Sequence, residues 1–206
     1  LAGVTYLVVT PFDGRPDYPR PGCRRHRSVR VSGLGRARLP RARSSSRDCG
    51  TLGDDREGDQ AMPDLHDVVE LAAANGHLAV ISTIRADGTV QASLVNAGTS
   101  THPKTGQKVL ALVAGGRVKL ANLRARPTTT VTFHHRWNWI TIEGIAELAG
   151  PDDTKLGLSP DELTALLRTI FADAGGTHDD WTTYDRTMAQ ERRAAVLIRP
   201  TRIYGN

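Results

Sequence analysis

From residue 62 onward the apolar positions fall into short blocks whose period changes from one block to the next. Residues 63–77, "PDLHDVVELAAANGH", place Leu65, Val68, Val69, Ala72 and Ala73 three or four apart. That stripe predicts an amphipathic helix, with Asp64 as its cap and Gly76 as its stop. Residues 77–98 then read as a hairpin, because Asp87–Gly88 separates two apolar, β-branched runs. After a loop at 101–107, residues 108–115 are apolar throughout once past Lys108, which predicts a third strand buried on both faces. A short helix is expected over 117–126, ended before Pro127. Strands follow over 128–136 and 139–150.

The remaining blocks predict two helices and a last strand. Residues 159–176 carry Ser159 as cap, Pro160 and acidic residues in the first turn, and glycines at the end. Residues 178–192 place Trp181, Tyr184 and Met188 at helical spacing, and 193–205 read as a strand. Five or six mostly hairpin-linked strands with peripheral helices indicate a mainly β (α+β) fold, a closed or split β-barrel, and not a doubly wound sheet. No internal repeat is visible.

Composition separates this part from what precedes it. Residues 1–61 hold 12 of the 27 basic residues and 7 of the 22 acidic ones, so the whole net charge of +5 belongs to them. Their content of Gly, Pro, Ser and Arg, without sustained period, is that of a disordered segment. They read as a disordered or artefactual N-terminal extension: sequence translated upstream of a true start at Met62, or a disordered native arm, or, least in keeping with "GDDREGD", a leader. Residues 62–206 read as the domain. Because the basic pI of 9.6 comes from the extension, no nucleic-acid partner is expected. Both cysteines, Cys23 and Cys49, also lie there, so the domain has no disulfide framework. The run "YLVV" is too short to span a membrane, and a cytoplasmic location is expected.

One stretch raises a question of chemistry: "VAGGRVKLANLRARP", residues 113–127, in which two glycines precede four cations. A strand that ends in Gly-Gly and turns into a helix leaves backbone N–H groups free at the positive end of the helix dipole. Arg124 and Arg126 lie near the helix C-terminus, where cations are favourable anyway. Arg117 and Lys119 stand at the other end, where an anion would suit them. On spacing alone a phosphate site and a solvated charged face are equally open. Neither GxxxxGK[ST] nor GxGxxG occurs.

The segments "GHLAVISTIRADGTVQASLVNAG", "GGRVKLANLRARPTTTVTF", "WITIEGIAEL" and "DDWTTYDRTMAQERRAAVLIRPTRIYG" together resemble the pyridoxamine 5′-phosphate oxidase-like split-barrel family. They are most similar to its actinobacterial branch that binds the deazaflavin coenzyme F420. The resemblance covers about residues 72–206 and implies a six-stranded split β-barrel of the FMN-binding type. It further implies a homodimer with cofactor sites at the interface, and a cofactor phosphate gripped by Arg117, Lys119 and Asn122. Gln91, Ser93 and Val95, alternating on the second strand, match positions that face the cofactor; ordinary barrel lining is the plain alternative. Trp137 and Trp139 match positions that approach the ring from the partner subunit, and an aromatic anchor of the dimer core is the plain alternative. Glu143–Gly144 reads as structural.

The function implied is hydride transfer between reduced F420 and a small conjugated or aromatic acceptor. The cofactor carries that chemistry, so no side chain is assigned as acid or base. The alternatives are an FMN-binding oxidoreductase of the same fold and a non-catalytic cofactor- or haem-binding protein on the same barrel. Pyridoxamine-phosphate oxidation itself is disfavoured, since "RIYGN" is followed by no basic segment. His134 and His135 are adjacent on a strand and point to opposite faces, and the other histidines are scattered, so no metal site is expected.

Overall fold

The computed structural model describes residues 62–206, and the expectations for residues 1–61 lie outside the described residues. Helix α1 (Leu65–Ala74) starts where Asp64 accepts from the His66 and Asp67 backbone N–H groups. The Asp67 carboxylate accepts from the Asp64 N–H in return, closing a capping box. Strands β1 (Leu78–Ile84) and β2 (Val90–Asn96) form the expected hairpin, with Gly88 in the left-handed region at φ +82°. The Asp87 carboxylate fixes that turn by accepting from the Thr89 N–H and hydroxyl.

Strand β3 (Gly98–Thr101) follows after a single residue and is joined by a hairpin to β4 (Lys108–Ala114). Helix α2 (Arg117–Ala125), strands β5 (Thr128–His135) and β6 (Asn138–Ala149), helices α3 (Pro160–Asp173) and α4 (Trp181–Gln190), and strand β7 (Ala194–Gly205) complete the described chain.

All seven strands form one antiparallel sheet in the order β2-β1-β5-β6-β7-β4-β3. The six-stranded barrel expected from the sequence is therefore corrected to an open, seven-stranded sheet. The reason lies at Ala97. The chain that makes β2 along one edge passes through Ala97, whose N–H donates to the His77 carbonyl, and at once makes β3 along the other edge. The two edges are halves of one bent strand. They come together in space, β2 lying near β4, but no ladder of backbone hydrogen bonds joins them. Gly98 sits at the bend against the end of α3, where a Cβ would collide with the Asp173 carbonyl.

The sheet buries both faces over much of its area. On one, Ile81, Leu110, Leu112, Phe133, Ile142, Val196 and Ile198 pack with Val68 and Ala72 of α1 and with Leu120 and Leu123 of α2. On the other, Leu166, Leu167 and Ile170 of α3 cover Val109, Ala111, Ala195 and Leu197. Strand β4 supplies both clusters, as its unbroken apolar run predicts. Beyond the cover of α3, the second face is open along β1 and β2. There Val80 stands opposite Leu94 and Ile84 opposite Val90, and Val90 and Leu94 are 61% and 66% exposed.

Candidate functional site

Strand β4 delivers the chain to Gly115 and Gly116, and α2 begins at Arg117. Gly116 has φ +91° and ψ 127°, a conformation a side chain makes costly. Helices α1, α3 and α4 each carry a side-chain cap, from Asp64, Ser159 and Asp180. Helix α2 has none, and no acidic residue lies in its first turn. Its first N–H groups thus face an unneutralised positive end of the helix.

The cations of this helix divide as their positions suggest. Arg124 makes a two-pronged pair with Asp153, at 2.8 Å from each carboxylate oxygen. Arg117 and Lys119, by contrast, have no carboxylate within ion-pair reach among the described residues. Arg117 is exposed, whereas Lys119 is half-buried. Burial, and after it the charge of Arg193, lower the Lys119 pKa below the ordinary lysine value. An anion beside the ammonium would offset both effects.

Asn122, one turn on, is 7% exposed and faces the sheet. Its amide nitrogen donates to Gln91 Oε1 at 3.0 Å and to Thr83 Oγ1 at 3.1 Å. Two of the expected cofactor residues are thus bonded to each other, and Asn122 clamps α2 onto β1 and β2. Gln91, Ser93 and Val95 do share the face that α2 covers, opposite Thr83, Ile81 and Ala79 on β1. Val95 packs against the core, and Ser93 is half-buried. Read along the register, this row runs from Asn122 toward the end of the sheet where β5 and β6 turn.

The tryptophans stand at that end, not beside α2. The start of α2 follows the rung formed by Val113, Ala195 and Ala149, and Ala149 is the last residue of β6. Trp137 precedes the first, so the path along the strand between them is about 40 Å at 3.3 Å per residue. Trp137 is 90% exposed. Trp139 instead packs edge-on to Tyr204 at 5.9 Å, and Tyr204 donates to Glu143 Oε1. Gly144 forms a bulge with β7, where a Cβ would lie 2.6 Å from the Arg199 carbonyl, in keeping with a structural role for Glu143–Gly144.

With this geometry, the molecule can be set beside solved structures. Its fold is a known one. A conserved hypothetical protein from Mycobacterium tuberculosis superposes with a TM-score of 0.52 over 73% of this chain and 88% of its own, at 16% identity. An F420 reductase matches at a TM-score of 0.43 and 18% identity, over 62% of this chain and 89% of its own. A pyridoxamine 5′-phosphate oxidase-related, FMN-binding protein from Nostoc punctiforme matches at 0.47 and 11% identity, over 67% and 81%. Only the first of these three superpositions is close enough to establish a common fold. No protein-family model matches the chain.

The sequence reading missed Arg193. A Cβ on Gly115 would lie 2.7 Å from Arg193 Cζ and Nη1 and 2.8 Å from Nε, so the guanidinium rests against the backbone just ahead of α2. The two glycines therefore have separate reasons: Gly116 for its backbone angle, Gly115 for space. Arg193 also lines a cavity of about 340 Å³ between α3, α4 and the loop at 150–160, with Leu158, Leu163, Leu167 and Met188. None of the eight expected site residues lines that cavity. Among the described residues, no helix is long and apolar enough to cross a membrane, and no cluster of metal-binding side chains forms.

Proposed function

We propose that this chain is a coenzyme F420-dependent oxidoreductase that transfers hydride between reduced F420 and a small conjugated or aromatic acceptor. One observation carries the reading. Lys119 is half-buried with no carboxylate within ion-pair reach among the described residues, at an uncapped helix start behind two glycines. A cofactor phosphate answers each of these features: it accepts the free N–H groups, complements the dipole and neutralises the ammonium. Arg117, exposed beside it, offers a planar two-pronged contact. The choice of F420 rests on the resemblance in sequence. FMN also offers a phosphate to this grip, as a monoester where F420 carries a diester, so an FMN-binding oxidoreductase is the alternative.

When bound, such a cofactor supplies the hydride chemistry. The chain's part is to hold the phosphate at Arg117 and Lys119 and to offer the Gln91–Ser93–Val95 row as one wall for the ring. Asn122 keeps α2 at the height from which the grip works. The homodimer belongs to the same proposal: the exposed apolar pairs of β1 and β2 are a surface suited to a second copy. Trp137 can then meet the partner's cofactor, being remote from its own α2.

The test is a fluorescence titration of the full chain with F420 and with FMN, for the parent and for Lys119→Ala. Losing a charged hydrogen bond should weaken the native cofactor by about 1.5–3 kcal/mol. Unchanged affinity for both would remove the phosphate role. Oxidation of reduced F420 with a panel of conjugated acceptors then separates an enzyme from a protein that only binds the cofactor.

A further inference from the structure

Arg193 is held against the start of α2 by the turn that follows α4. Arg192 adopts φ +49°, an unusual angle for a side-chain-bearing residue, and the Arg193 N–H donates to the Met188 carbonyl at the end of α4. This turn aims Arg193 across Gly115 toward the start of α2. The Arg193 side chain is 16% exposed, and its charge is felt at Lys119. Two half-buried cations thus belong to the same turn, the guanidinium of Arg193 against Gly115 and Lys119 in the first turn of α2, an arrangement with a cost.

Among the described residues, only one of them has a counter-ion. Glu191 Oε2 accepts from Arg193 Nε at 2.7 Å and Nη2 at 2.6 Å. Asp185, which shares the α3–α4 cavity with Arg193, is taken by Arg168. Glu191 follows directly on α4 and is about one-third exposed, so it can turn to solvent. One carboxylate therefore serves two cations and reaches only one of them.

We propose that Arg193 is a third cation of the phosphate site, kept in place by Glu191 until an incoming phosphate bridges Arg193 and Lys119. This rests on the reading that the start of α2 takes a cofactor phosphate, and it adds residues from the far end of the chain to that site. Guanidinium and ammonium would each take one of the unesterified oxygens of the phosphate, which a diester such as F420 and a monoester such as FMN both offer.

The experiment measures the affinity of the full chain for F420, FMN and riboflavin, which is FMN without its phosphate. The variants are Arg193→Met, Gly115→Ala, Glu191→Gln and Lys119→Ala, with Arg199→Met as a distant control. Arg193→Met should weaken FMN or F420 binding roughly ten- to a hundredfold and leave riboflavin unchanged. Gly115→Ala should act in the same direction with every charge retained, since it displaces only the flexible end of Arg193. Glu191→Gln should tighten phosphate-bearing ligands by removing a competing carboxylate. Thermal melts show whether each variant is folded, and Gly115→Ala and Glu191→Gln decide the matter if Arg193→Met is not. Parent-like binding in Arg193→Met and Gly115→Ala, or weaker binding in Glu191→Gln, overturns the proposal. If Lys119→Ala still loses affinity in that case, the phosphate reading survives without Arg193. If Lys119→Ala is also unaffected, both fall.

Discussion

Replacing Asn122 with alanine removes the clamp between α2 and the β1–β2 hairpin. Two hydrogen bonds go, to Gln91 at 3.0 Å and to Thr83 at 3.1 Å. Each is worth about 0.5–1.5 kcal/mol net, so the bonds alone amount to about 1–3 kcal/mol. Their partners fare differently. Gln91 is half-exposed and can turn to water, whereas the Thr83 hydroxyl is sealed in at 1% exposure. An expected loss of about 2–3 kcal/mol follows, which for a domain of this size lowers Tm by about 4–12 °C. Urea unfolding should show a lower midpoint with an unchanged slope. Gln91→Ala alone should cost less, because it removes one bond. The double mutant should then fall short of the sum by about 0.5–1.5 kcal/mol, the energy of the shared contact. A loss below about 0.5 kcal/mol in Asn122→Ala, or strict additivity with Gln91→Ala, would refute the clamp and with it the idea that Asn122 sets the height of α2.

Other consequences can be checked on the same protein. Lys119→Met should stabilise the protein in the absence of cofactor while weakening phosphate binding, as expected where function holds an uncompensated charge. The sign with pH follows from the folded-state pKa lying below 10.5. Here the unfolded chain holds the proton more tightly, so the parent's deficit against Lys119→Met is full at neutral pH. It shrinks as pH rises through the range just below the ordinary lysine value, and a deficit independent of pH would contradict this. Gly116→Ala forces a side chain into φ +91° and should cost about 1–3 kcal/mol in chemical denaturation, against an exposed Ala121→Ser control near zero. Trp137→Ala should leave stability within about 0.5 kcal/mol, since the ring is free of its own protomer. If Trp137 instead serves a partner's cofactor, the variant lowers cofactor affinity without lowering Tm, and parent-like affinity would remove that role.

Where one segment decides its own structure, the sequence alone was informative. Asp64, Ser159 and Pro160 mark helix starts by chemistry within a few residues, and each stands where that chemistry places it. The unbroken run of β4 likewise predicted burial on both faces. Strand β3 was not visible because "GTST" has neither apolar residues nor alternation, and its pairing comes from a neighbour across the next turn. Asn122 was legible as a polar residue one turn beyond Lys119, but not as one facing inward. That depends on Thr83 and Gln91, which β1 and β2 bring beneath it. Arg193 was hidden for the same reason: its place follows from the turn after α4 and the absence of a side chain at Gly115, positions remote in the chain.

The bend at Ala97 has a mechanical meaning. Because β2 and β3 are one length of chain, neither sheet edge can slide without dragging the other. A slip of two residues along β1 would preserve the inward-outward alternation of β2, which is the error a hairpin resists least. Here it would also pull Gly98 from the notch beside Asp173 and push Asn96 or Ser100 into a gap that only a glycine fits. Gly98 acts as a detent: one atom-sized recess that indexes the register of both margins of the sheet against the end of α3.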